Sequence, residues 1–163
     1  MKSKKNRTIL VALLIGCTVV SVHFLTDAHS IEKGSIAPDF TARTVDGNEL
    51  TLSSVAGGKK VVLIFWASWC PHCRKEAPRV EQFYQKNKDA IAVIGVNVRE
   101  DKETAAAFVK KENLSYPVVL DPDNTIARSY GVQGIPAIVS LANDRTVEYY
   151  GYSIDEAQQA VVK

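Results

Sequence analysis

Six consecutive apolar residues, Val61 to Trp66, stand just ahead of Cys70-Pro71-His72-Cys73, and this juxtaposition constrains the chain more than any other feature. An unbroken apolar run of that length reads as a central strand buried on both faces. From Pro71 to about Asn87 the period changes. Ala77, Val80 and Tyr84 recur at i, i+3 and i+7 with Phe83 beside them, which is a helix with one apolar face. The two cysteines therefore fall at a strand-to-helix junction, in the first turn of the helix.

The segments around this unit repeat its logic. Ile91 to Val98 reads as a second buried strand, and Asp101 as the N-cap of a helix whose apolar face is Ala105, Phe108 and Val109. Val118-Val119-Leu120 is a short strand. Asp121-Pro122-Asp123-Asn124 reads as a turn, and turn chemistry outweighs calcium binding there. Ile126 to Tyr130 is a short helix. Ala137 to Leu141 and Thr146 to Tyr150 form a hairpin about Asn143-Asp144-Arg145. Ser153 and Glu156 have capping-box spacing for a last helix. Before all of these, Asp39 to Arg43 and Glu49 to Leu52 flank Asp46-Gly47, a hairpin signal. Alternating strands and helices imply an α/β sandwich with a mixed central sheet, an N-terminal β-hairpin and one extra βα unit.

The N-terminus differs in kind. Lys2, Lys4, Lys5 and Arg7 precede Ile9 to Leu25, 17 residues without Asp, Glu, Lys or Arg. That is the pattern of a signal-anchor or a lipoprotein signal. As a helix the run spans about 25 Å, at about 1.5 Å per residue. The expected organisation is a basic cytoplasmic segment at 1–8, the apolar signal at 9–25, a spacer at 26–33 and a folded domain at 34–163. Three outcomes compete: an uncleaved anchor, lipidation at Cys17 in Leu14-Ile15-Gly16-Cys17, and release near Thr26-Asp27-Ala28. All three put the domain on the extracytoplasmic side of a bacterial cell membrane.

Charge and cysteine count exclude several classes. The four N-terminal cations belong to a total of 20 basic residues, which leaves 16 basic against 18 acidic in the rest. A domain of that balance is not a nucleic-acid binder. Three cysteines build neither a disulfide scaffold nor a four-thiolate zinc site. Cys70-x-x-Cys73 at a strand-to-helix turn is instead a redox motif. Cys70 meets the free N–H groups and dipole of the helix start, which stabilise a thiolate, so it is the expected nucleophile. Cys73, one turn in and expected to be less exposed, is the resolving thiol. His72 either favours the Cys70 thiolate, and with it a more oxidising disulfide, or is a solvated surface residue. A structural disulfide closing so short a loop stabilises little. Zinc needs a further ligand, and His23 and His29 are the remaining histidines. No metal and no cofactor is expected.

Phe65-Trp66-Ala67-Ser68-Trp69-Cys70-Pro71-His72-Cys73 resembles the active-site segment of the thioredoxin superfamily. Gly134-Ile135-Pro136 matches the loop where that superfamily carries a cis-proline opposite the cysteines, and Pro78 matches its helix-kinking proline. Within it the chain is similar to the TlpA/ResA-like membrane-anchored thiol-disulfide oxidoreductases. The similarity rests on the anchor, Ala37-Pro38-Asp39-Phe40, the extra unit at 101–120 and Cys73-Arg74-Lys75-Glu76-Ala77-Pro78. The resemblance implies a thioredoxin-like three-layer sandwich over roughly Gly34 to Lys163. It implies disulfide exchange with protein substrates held by Trp69, Ile135 and Pro136, a membrane or extracytoplasmic redox partner, and a monomer. It also implies reduction of apocytochrome c thiols during cytochrome c maturation. Thioredoxin's buried acid corresponds here to Ile64, and Glu76, on the same helix face as Cys73, is either its replacement as proton acceptor or a solvated carboxylate.

Three other functions compete. The Pro71-His72 dipeptide resembles that of DsbA-type oxidants, which form disulfides. Ala37-Pro38-Asp39-Phe40 also opens peroxiredoxins, but no Pro-x-x-x-Thr-x-x segment leads to Cys70. A non-catalytic peptide-binding module is the third, and the intact cysteine pair argues against it.

Overall fold

The computed structural model describes residues 31–162. The expected segments at 1–8 and 9–25, Cys17, His23, His29 and the start of the spacer lie outside the described residues.

The chain runs β1 (Thr41–Arg43), β2 (Glu49–Thr51), α1 (Leu52–Ala56), β3 (Lys60–Trp66), α2 (Pro71–Asn87), β4 (Ile91–Val98) and α3 (Lys102–Lys111). It continues through β5 (Val118–Asp121), α4 (Thr125–Ser129), β6 (Ala137–Leu141), β7 (Val147–Gly151) and α5 (Ile154–Val161). Five strands form one sheet in the order β5-β4-β3-β6-β7. β3, β4 and β5 are parallel, β6 runs antiparallel to β3 and β7 antiparallel to β6, so the sheet is mixed as expected. β1 and β2 form the N-terminal hairpin, whose turn needs Gly47 at φ +90°.

Strand alternation sorts the core into two layers. Val61, Leu63 and Phe65 of β3 face one side, with Leu52 of α1 and Ile126 of α4. Val62, Ile64 and Trp66 face the other, beneath α2, α3 and α5, with Val80, Phe108, Ile154 and Ala157. Gly95 on β4 allows the second layer to close. A Cβ there would stand 2.9 Å from the Trp66 indole nitrogen and 3.0 Å from the Tyr116 ring. The packed chain reaches back to Ile31, which is buried in the first layer.

Two local expectations fail. Leu52 begins α1 and does not end a strand: the Asp39 carboxylate accepts a hydrogen bond from the Ser53 N–H at 3.1 Å, and Gly57 closes the helix at φ +51°. Ser153 is the N-cap of α5, but no side-chain cap bond forms. The Glu156 carboxylate accepts instead from the Tyr149 hydroxyl, at 2.8 Å, so a tertiary partner replaces the local box. The acidic turn is built as expected. Asp121 is buried, and its carboxylate accepts from the N–H groups of Ile126 and Ala127 at 3.0 and 2.8 Å, capping α4.

Candidate active site

α2 begins just past the C-terminal end of β3, the central strand of the sheet. Cys70 is its N-cap and Pro71 its first residue, where a missing N–H costs nothing. Cys70 and Cys73 form a disulfide with Cα atoms 5.2 Å apart, and the Cys73 N–H donates to the Cys70 sulfur at 3.1 Å. Free amides at a helix start are what a thiolate at Cys70 would meet after reduction. The expected contrast in exposure is absent. Both cysteines are 3% exposed, because the loop carrying Ile135 covers Cys70 while Cys73 lies on the inner face of α2, in the core. The Ile135–Pro136 peptide is cis, and the Ile135 carbonyl oxygen lies 3.6 Å from the Cys70 sulfur. In the disulfide this is a contact, since neither sulfur carries a proton to donate.

The predicted residues fall around this pair. Trp69 is 55% exposed beside the disulfide. His72 is exposed on the rim of a hollow of about 570 Å³ that also includes Lys75, Arg79, Ile135, Pro136 and Tyr152. Glu76 sits half-buried one turn after Cys73. One of its carboxylate oxygens accepts from Arg79 at 2.8 Å, and the other is buried without a protein partner. That glutamate borders a void of about 10 Å³ together with Cys73, Ile64, Trp66, Tyr116 and Pro136. Trp66 borders the same void, and its indole N–H is also buried without a protein partner. Ile64 is apolar and buried there, so no acid comes from β3. Burial, helped by the Glu81 charge, pushes the Tyr116 hydroxyl far up, so it stays protonated.

Glu100 supports this site and is absent from the sequence expectations. It follows β4, is 9% exposed, and turns its carboxylate toward the loop before Cys70. It accepts from the Ser68 N–H at 2.8 Å, from the Ser68 hydroxyl, and from the Asn97 amide at 2.6 Å. Three donors converging on one buried carboxylate fix the Ala67–Trp69 backbone relative to β4. No local spacing signals this, because Ser68 and Glu100 are 32 residues apart.

Taken together, a Cys-x-x-Cys disulfide at a helix N-terminus, faced by a cis-proline loop on a mixed five-stranded sheet, defines a thioredoxin-fold thiol-disulfide oxidoreductase. The family model described as the AhpC/TSA family matches residues 33–150, and the chain belongs to this thioredoxin-like family. It is 35% identical over 143 residues to the thiol-disulfide oxidoreductase ResA of Bacillus subtilis, across 83% of this chain and 79% of that one. Against ResA of Geobacillus thermodenitrificans the identity is 32% over 133 residues, covering 80% and 76%. Among solved structures, a putative thiol:disulfide interchange protein DsbE from Chlorobium tepidum superposes with a TM-score of 0.75 at 30% identity, covering 82% of this chain and 97% of that one. A secreted Mycobacterium tuberculosis disulfide oxidoreductase homologous to Escherichia coli DsbE gives 0.68 at 34%, covering 76% and 94%.

Proposed function

We propose that this oxidoreductase works outside the cytoplasm, tethered by the apolar run at 9–25, and keeps client protein thiols reduced, those of apocytochrome c among them. Cys70 attacks the client disulfide, the client's second sulfur leaves as a thiolate, and Cys73 resolves the mixed disulfide. The reading rests above all on one observation: the Cys70 sulfur at the N-terminus of α2 faces the Ile135 carbonyl across 3.6 Å. A client chain laid along Ile135 as a short extra strand would bring its sulfur to Cys70 without regard to most side chains. The Lys2-to-Arg7 cluster before the apolar run supports the topology.

Glu76 supports the reducing direction. A carboxylate beside Cys73 opposes a thiolate there, and a poorer leaving group makes the disulfide harder to reduce. It shares the void with Cys73 and serves in this reading as the acceptor when Cys73 gives up its proton. The second reading, a disulfide-forming oxidant, rests on Pro71-His72, and against it His72 is exposed on the rim and makes no hydrogen bond to either sulfur. Equilibration of Cys70/Cys73 with glutathione decides between them. A potential below that of the glutathione couple fits the reductant, and one well above it overturns that direction. Protease digestion of intact spheroplasts tests the topology, since an extracytoplasmic domain is cut from outside.

A further inference from the structure

We propose that Arg99, with Asn124, forms a subsite for an acidic side chain of the client polypeptide, close to the cysteine that engages Cys70. The proposal rests on the protein-client reading above and adds a selectivity to it. On the side of Ile135 away from His72 lies a second hollow, of about 260 Å³, bordered by Trp69, Arg99, Asn124, Gln133, Gly134 and Ile135. Arg99 is the one charged residue on its wall, and no acidic residue lines it. Among the described residues five ion pairs form, and none includes Arg99.

Arg99 is also held in a conformation that L-residues rarely adopt, at φ +58°. Its N–H donates to the Asp121 carbonyl at 3.1 Å, which fixes that backbone. The left-handed turn sends consecutive side chains in opposite directions: Glu100 inward to Ser68, Arg99 outward to the hollow. A glycine would fit this backbone without strain, so the guanidinium is placed there at a conformational cost. Asn124 gives an independent sign. It too has a positive φ, of +58°, it is 8% exposed, and its side chain makes no cap bond to α4, which it precedes. The Asp121 carboxylate has taken that role, so the Asn124 amide is left to line the hollow.

An arginine fork and an amide donor suit a carboxylate. Trp69 supplies an apolar flank, and Ile135 links the hollow to the Cys70 sulfur. Because Ile135 both borders the hollow and faces Cys70, an acid two residues from the client cysteine, on the same face of an extended chain, is the one placed to test the subsite.

Three disulfide-bridged peptides that differ only in carrying Glu, Gln or Lys two residues from the reactive cysteine test this. The reduced protein passes two electrons to each peptide: Cys70 opens the peptide disulfide, one peptide thiolate leaves, and closure of Cys70–Cys73 releases the second. With dithiothreitol regenerating the reduced protein and the peptide-only background subtracted, the glutamate peptide should show kcat/KM about five- to tenfold above the lysine peptide at low salt, with the ratio shrinking as salt rises. Arg99→Gly should bring the ratio near one, and Arg99→Glu should invert it. Equal kcat/KM for all three peptides, or a ratio unchanged in Arg99→Gly, would overturn the subsite and leave the exchange reading standing. Failure of the unaltered protein to reduce any of the peptides would overturn both.

Discussion

The two faces of the central sheet share their strands and treat buried polar groups in opposite ways. On the face covered by α1 and α4, each named polar group has a partner. The Tyr130 hydroxyl donates to the Pro38 carbonyl at 2.6 Å, and Asp121 caps α4 with both carboxylate oxygens. On the face covered by α2, α3 and α5, Trp66 Nε1 and Glu76 Oε2 have no protein partner, and both residues border the void beside Cys73. Unsatisfied buried polar atoms are unfavourable, and they gather on the face that carries the disulfide. One face holds the fold together, and the other keeps polar groups next to a reacting sulfur.

Changes at the two faces should therefore separate activity from stability. The largest effect falls on turnover. Cys70→Ser and Cys73→Ser should each abolish catalytic disulfide exchange, with little loss of stability because the bridged loop is short. Cys73→Ser should accumulate mixed disulfides through Cys70, visible on non-reducing gels. Equal trapping through Cys73 in Cys70→Ser would reverse the assigned roles. On the opposite face, Phe65→Ala should cost about 3–5 kcal/mol in urea denaturation, since Phe65 is fully buried against Tyr130. The reduction potential of that variant should stay that of the unaltered protein. A shift in potential as large as that caused by Glu76→Gln would dissolve the contrast between the faces.

Glu100→Gln probes the join between fold and site. Glutamine offers one accepting oxygen where three donors converge, and turns an N–H₂ toward one of them. The expected loss is about 1–3 kcal/mol of stability, with slower exchange at unchanged Cys pairing. Stopped-flow oxidation by a peptide disulfide reads the second effect. An unchanged rate would mean that the Ser68 loop is held by other contacts.

The same contrast explains what the sequence disclosed. β3, α2, β4 and α3 were legible because each carries a long, consistent hydrophobic period, and the cysteine pair because its meaning is local. α1 was not, since five residues carry no period and its Ser53 N–H is capped from Asp39, 14 residues away. The capping box at Ser153 does not form, because a tertiary hydroxyl, that of Tyr149, claims Glu156. Glu100 left no trace because Ser68, which supplies two of its three donors, meets it only after β3 and β4 pair. The cysteines' equal burial was hidden for the same reason: it depends on the Ile135 loop arriving from the far side of the chain. Local chemistry could be read directly, and long-range satisfaction of polar groups could not.

Asp39 gives the smallest test and marks the quieter face. Burial alone would raise its carboxyl, but hydrogen bonds from Ser53 and from the Phe40 N–H, with the Arg145 charge, more than offset that and hold it below the ordinary 3.8. A carboxyl depressed on folding adds stability above its unfolded value, and that stability is lost as pH falls through the folded value. The contribution is therefore complete at neutral pH and disappears only in acid, below 3.8. Asp39→Asn keeps an oxygen for the Phe40 and Ser53 N–H groups, both of which donate to Oδ1. It loses the charge facing Arg145 at 3.6 Å, a solvent-screened pair. The variant should be less stable by under about 1 kcal/mol at neutral pH, with the difference vanishing in acid. Urea midpoints measured at both pH values read it. A difference that persists undiminished in acid would mean that the charge contributes nothing and that the amide disturbs the start of α1.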